Sequence, residues 1–150
     1  PGHCICAKTD RRTAAGRSSM INIRFEVQGE PKAKARPRVT RSGIAYTPKN
    51  TILYENLVRT SFQQSYPDHI PIDCEVEAII TAYFSIPKSA SQRKKELMGF
   101  GLINPTKKPD LDNIAKAVLD SLNGIAYKDD SQIVSMIVSK KYSERPYRYI

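Results

Sequence analysis

Alternation opens the patterned part of the chain. In Ile21-Asn22-Ile23-Arg24-Phe25-Glu26-Val27 every odd position is apolar, which predicts a half-buried strand. Residues 1–19 show neither a two-residue nor a 3.6-residue period and end in the linker-like Gly16-Arg17-Ser18-Ser19. They read as a disordered leader or an appended tail, with Met20 as the natural start and residues 20–150 as one domain. Gly29-Glu30-Pro31 reads as a turn. Ile52, Leu53, Leu57, Val58 and Phe62 approximate the stripe of a helix running from Asn50 to Ser65, and Pro67 and Pro71 break the chain after it. Val76 to Ile86 is nearly continuous in apolar residues, as expected of a central strand covered on much of both faces, and Pro87 ends it. Ser89 is placed to cap a short basic helix containing Arg93, Lys94, Lys95 and Leu97, with Gly99 as its stop. A stronger helix spans Leu111 to Leu122, where Leu111, Ile114, Ala115, Val118, Leu119 and Leu122 make one apolar face before Asn123-Gly124 closes it. Ile133 to Tyr142 alternates again, and a short fourth strand is expected near Tyr147–Ile150. The order is βαβ(α)αβ, an α/β or α+β domain with helices packed on a small mixed β-sheet.

Composition narrows the class. A chain of 150 residues can bury enough apolar surface to hold a core without a metal or disulfide. It contains no stretch of about 18 apolar residues, which excludes a membrane-spanning helix. Three cysteines form no disulfide framework, so a reducing, cytoplasmic setting is expected. His3, Cys4 and Cys6 sit too close together for the spaced ligand pairs of a structural zinc site. Twenty-four Lys and Arg against fifteen Asp and Glu give a net charge of +9. Lys8, Arg11, Arg12 and Arg17 against Asp10 account for three of these, so the domain itself keeps +6. Such an excess points to a polyanionic partner, most often nucleic acid, with an incidentally basic protein as the plainer alternative.

Two clusters carry candidate chemistry. Lys32, Lys34, Arg36, Arg38 and Arg41 fall within ten residues, and Pro37 biases Arg36 to an extended conformation. This exposed loop or irregular edge is either solvated or matched to phosphates. The acids, few overall, gather as Asp110, Asp112, Asp120, Asp129 and Asp130 within twenty-one residues. Asp110 and Asp112 straddle a helix N-terminus and Asp129-Asp130 precedes a strand, so capping is the simple reading of both pairs. One aspartate satisfies a cap, however, and converging carboxylates repel unless a hard divalent cation such as Mg²⁺ or Mn²⁺ joins them. Lys116 lies one helical turn beyond Asp112, as an ion pair or as a cation beside a reacting phosphate. Carboxylates and a lysine within a basic surface suit a nuclease, whose metal neutralises the scissile phosphate and activates water.

The run Lys108-Pro109-Asp110-Leu111-Asp112-Asn113-Ile114-Ala115-Lys116, followed by Tyr127-Lys128-Asp129-Asp130-Ser131-Gln132-Ile133-Val134, closely resembles the RusA family of Holliday junction resolvases. Its signature is Asp-x-Asp-Asn-x-x-Lys and then an Asp-Asp pair before a strand. Gly29-Glu30-Pro31 to Arg36-Pro37-Arg38, with Tyr46-Thr47-Pro48, is similar to the opening of phage- and prophage-type members. The resemblance spans about Ile21 to Tyr142 and implies a homodimeric, Mg²⁺-dependent endonuclease, with Mn²⁺ able to substitute. Such an enzyme makes paired symmetric nicks across four-way DNA during recombination and repair. By position, Asp110, Asp112 and Asp130 would be the metal-binding, catalytic aspartates and Lys116 the family's essential lysine. Asp120 is expected to support the site or form an ion pair, and the role of Asp129 stays open. Lys32, Lys34, Arg36, Arg38 and Arg41 are the candidate phosphate contacts. Two rivals remain: a nuclease for other branched DNA such as forks or flaps, and a non-catalytic nucleic-acid-binding module whose acids only cap helices.

Overall fold

The near-continuous apolar run after Cys74 becomes the centre of the main sheet. The structure, a computed structural model, describes residues 10–12, 18–35, 38–39, 42–43, 45–46, 48–144 and 148–149. In chain order the elements are β1 (Asp10–Arg12), β2 (Ser18–Met20), β3 (Val27–Gln28), β4 (Arg38–Val39), β5 (Ala45–Tyr46), α1 (Lys49–Ser65), β6 (Val76–Ser85), α2 (Gln92–Gly99), α3 (Leu111–Leu122), a 3-10 turn over Asp130–Gln132, β7 (Ile133–Ser143) and β8 (Arg148–Tyr149). Four strands lie in the order β3-β8-β6-β7. β6 and β7 run parallel, in register from Glu77 opposite Ser135 to Ser85 opposite Ser143. β8 is antiparallel to both β3 and β6. The sheet is therefore mixed, and the chain reaches parallel β7 through the α2–α3 crossover that such pairing requires. β1 with β2 and β4 with β5 form separate two-stranded ribbons, the first straddling the boundary expected at Met20.

The core lies between the sheet and the pair α1 and α3, which pack on one another, α1 also against β3 and α3 against β7. β6 buries Val76, Ala78, Ile80 and Ala82, every second residue. α3 has the predicted limits and buries Ile114, Ala115, Ala117, Val118 and Leu122. Phe62 of α1 meets Phe25 edge to face, with ring centroids 5.2 Å apart.

Three local expectations are corrected. The strand predicted over Ile21–Val27 keeps its alternation, with Ile23, Phe25 and Val27 buried, but only Val27 and Gln28 join the ladder. The Tyr66 hydroxyl replaces a neighbouring strand there, accepting from the Arg24 N–H (2.9 Å) and donating to the Arg24 carbonyl (2.8 Å). On α1, Val58 and Phe62 are buried as predicted, whereas Ile52, Leu53 and Leu57 are exposed and Thr51 and Tyr54 take the inner positions. Packing against α3 and β3 sets that rotation. α2 begins after Ser91 rather than Ser89, and no side chain caps it.

Candidate active site

Helix periodicity builds one wall of the site. Asp112, Lys116 and Asp120 recur every four residues, so they share one side of α3 while Ile114, Val118 and Leu122 face the core. Asp112 and Lys116 are exposed and Asp120 is half-buried. Asp110 occupies the N-cap position of α3, yet its carboxylate makes no capping hydrogen bond. Capping thus does not account for that acid. The segment leading into Asp110 is tied to the sheet instead: the Lys140 ammonium on β7 donates to the carbonyls of Lys107 (2.9 Å) and Pro109 (3.2 Å).

The second wall comes from the turn before β7. The Asp129 carboxylate accepts from the Ser131 N–H (2.9 Å), and the Gln132 side chain accepts from the Asp129 N–H (2.8 Å), a reciprocal cap. Hydrogen bonds from Ser131 above all hold the Asp129 carboxyl below its ordinary pKa. The Gln132 amide also donates to the carbonyls of Ile72 (3.1 Å) and Cys74 (2.8 Å), which pins the turn to the chain entering β6. Asp129 therefore answers to the capping role, and its neighbour Asp130 is left on the surface of a fixed turn.

Between these walls lies an open pocket of about 430 Å³, lined by Asp112, Lys116 and Asp120 of α3, by Asp130, and by Ile133 to Met136 of β7. Tyr127 of the core donates from its hydroxyl to the carbonyl of Leu119, which also lines the pocket (2.6 Å). Burial chiefly, and then the negative charges of Asp130 and Asp120, push its pKa upward. Of the four residues singled out as catalytic, Asp112, Lys116 and Asp130 line this pocket. Asp110 is not among its lining residues and stands at the N-terminal end of α3.

The basic loop divides. Lys32 is exposed. Lys34 differs from the expectation of a free phosphate contact: its ammonium hydrogen-bonds the Asp120 carboxylate and lies 3.2 Å from Glu55 Oε1 of α1. Partial burial works against that ammonium, but the hydrogen bonds and charges of Asp120 and Glu55 outweigh it and raise its pKa. Its backbone N–H donates to the Asn113 carbonyl of α3 (3.0 Å), so the loop is sutured to the acidic helix. Arg36 and Arg41 lie outside the described residues, as do His3, Cys4 and Cys6, and of Arg38 only the backbone is described. Glu55 and Lys140 were not singled out from sequence. Glu55 sits inside an ordinary amphipathic helix, and Lys140 inside a strand whose expected alternation the structure does not keep, since Val134, Met136 and Ile137 are all exposed, so neither carries a local signal.

The donor set suits a hard divalent cation. Among the described residues no three His, Cys, Asp or Glu groups form a ready-made metal cluster. Mg²⁺ does not require one, because it keeps several waters and takes one or two carboxylates together with substrate phosphates. Asp112 and Asp130 on one pocket provide that pair.

The mixed sheet thus carries an acid-and-lysine pocket in a chain of net charge +9. A match to the family described as Endodeoxyribonuclease RusA covers residues 28–150, from β3 past both acidic motifs. The chain belongs to the RusA endodeoxyribonuclease family. It is also similar to "Uncharacterized protein YqaN" of Bacillus subtilis (strain 168), 43% identical over 129 residues, which cover 83% of this chain and 90% of that protein.

Proposed function

We propose that the protein is a magnesium-dependent, structure-specific endodeoxyribonuclease that resolves four-way DNA junctions by paired symmetric nicks during recombination and repair. The observation that carries this reading is the shared pocket of Asp112, Lys116, Asp120 and Asp130, in a family of endodeoxyribonucleases. Asp112 and Asp130 would hold the ion, with Asp110 at the helix end as a further carboxylate. When bound, Mg²⁺ neutralises phosphate charge and makes water a stronger nucleophile near neutral pH. Lys116 adds positive charge on the same wall, where negative charge grows on the scissile phosphate during attack. Asp120, held by Lys34, keeps the wall in place rather than serving as a free ligand. Lys32 and the arginines of the basic loop gather the phosphate backbone. A homodimer with two-fold symmetry would bring one such pocket to each of two opposed strands.

The test is cleavage of a labelled, mobile four-way junction with and without Mg²⁺, using the wild type beside Asp112→Asn. Symmetric, Mg²⁺-dependent nicks are expected from the wild type only, with junction binding retained by the variant because a repulsive charge has gone. Cleavage by Asp112→Asn at saturating Mg²⁺ would overturn the site. Binding by both proteins without nicks in any metal would leave a non-catalytic DNA-binding module, and faster cleavage of forks or flaps would reassign the substrate.

A further inference from the structure

A second surface lies outside the pocket. Phe100 and Leu102, just after α2, are 79% and 71% exposed, the two most solvent-facing large apolar side chains there. They do not dangle. The N–H of Phe100 donates to the Glu96 carbonyl (2.9 Å), Gly101 to Met98 (3.1 Å), and Leu102 and Ile103 both to Leu97 (2.9 and 3.3 Å). Gly101 takes a positive φ of 73°, which lets the chain fold back on α2. At the far end of the loop Pro105 is buried and Lys140 holds Lys107 and Pro109. An ordered turn that presents apolar side chains to water marks an interaction site.

Charge names the partner. Between Ile86 and Pro109 the chain carries Lys88, Arg93, Lys94, Lys95, Lys107 and Lys108 against the single acid Glu96. Arg93, Lys94, Lys107 and Lys108 are exposed, and Glu96 is engaged by the Gln92 amide at 3.4 Å. An exposed aromatic turn flanked along the chain by exposed cations fits a polyanion that offers flat apolar faces, which is nucleic acid with unstacked bases. The same loop runs directly into Asp110, so strands held on it are delivered toward the acidic helix.

We infer that the Phe100–Ile103 turn is a branch-point wedge: Phe100 stacks on a base exposed where the strands of branched DNA separate, while Arg93, Lys94, Lys107 and Lys108 bind the flanking phosphates. This rests on the junction-nuclease reading and adds to it the element that recognises the branch.

The experiment uses a four-way junction with 2-aminopurine at the crossover, bound without metal by the full-length wild type, Phe100→Ala and Phe100→Tyr. The wild type and Phe100→Tyr should raise the fluorescence. Phe100→Ala should not, and should bind and cut the fully paired junction roughly 10-fold less well, the scale of one lost base stack. A junction with two unpaired bases at the crossover should restore Phe100→Ala to near wild-type cleavage, and binding to linear duplex should not change. Wild-type fluorescence and cleavage from Phe100→Ala would overturn the wedge. So would an altered sedimentation coefficient with unaltered fluorescence, which would make the turn a contact between copies. A wild type that raises the fluorescence but never nicks would remove the nuclease reading and leave the wedge standing.

Discussion

Replacing Lys34 by Met tests whether the basic loop is joined to the acidic helix as described. Its ammonium lies between Asp120 and Glu55, with side-chain exposures of 28%, 28% and 17%. Glu55 Oε1 is buried, and the Lys34 ammonium at 3.2 Å offsets its charge. Exposed pairs contribute about 0–1 kcal/mol, whereas breaking a buried pair costs about 3–5 kcal/mol. A pair about one-quarter exposed falls between, so Lys34→Met should cost about 2 kcal/mol. At about 2–4 °C per kcal/mol for a domain of this size, Tm should fall by about 4–8 °C. In a double-mutant cycle with Asp120→Asn the coupling should reach about 1 kcal/mol. Because the folded-state pKa of Lys34 is raised, its contribution is fully present below the unfolded value, about 10.4, and is lost as pH climbs through the folded one. The gap between wild type and variant should stay constant from about pH 7 to 9.5 and narrow above about 10.4. Urea unfolding at several pH values reads both effects. A loss below about 0.5 kcal/mol, or a gap that ignores alkaline pH, would refute the reasoning.

Lys116→Met should reduce junction cleavage by about 10²–10³-fold, with binding changed only a few-fold in filter or gel-shift assays. Lys140→Met releases the carbonyls of Lys107 and Pro109; it should raise the Mg²⁺ concentration for half-maximal cleavage, and Lys140→Arg should restore much of it. Phe62→Ala removes a 1% exposed ring from the core and should cost about 3–5 kcal/mol, measured by chemical unfolding. Gly124→Ala meets no neighbour within 4 Å but must hold φ at 73°; a loss of about 1–2 kcal/mol, from the left-handed backbone alone, is expected in thermal unfolding.

Local patterning carried the strongest elements through unchanged. α3 keeps its predicted limits because the apolar face from Ile114 to Leu122 and Asn123-Gly124 at the end agree, although Leu111 at its start is exposed and Asp110 makes no capping bond. Its four-residue spacing was enough to set Asp112, Lys116 and Asp120 on one side. α1 was less legible: Ile52, Leu53 and Leu57 satisfied a helical stripe on paper but face outward, since the rotation of a helix is chosen by its packing partners. The first strand kept its alternation and lost most of its ladder, because ladder bonds belong to two segments and Tyr66, forty-two residues from Arg24, supplied them instead.

What the amino-acid order by itself determined was the set of chemical groups, their spacing along each element and the faces that must be buried, for these depend on neighbours within a turn or two. Tertiary structure decided which groups meet. Lys34 finds Asp120 across eighty-six residues and so becomes a strut rather than a free phosphate contact. Gln132 reaches Ile72 and Cys74 and thereby frees Asp130 to share a pocket with Asp112 while Asp110 stands apart. Such pairings follow from how helices and strands close on a common core, a long-range balance of burial and charge that no local window of sequence contains.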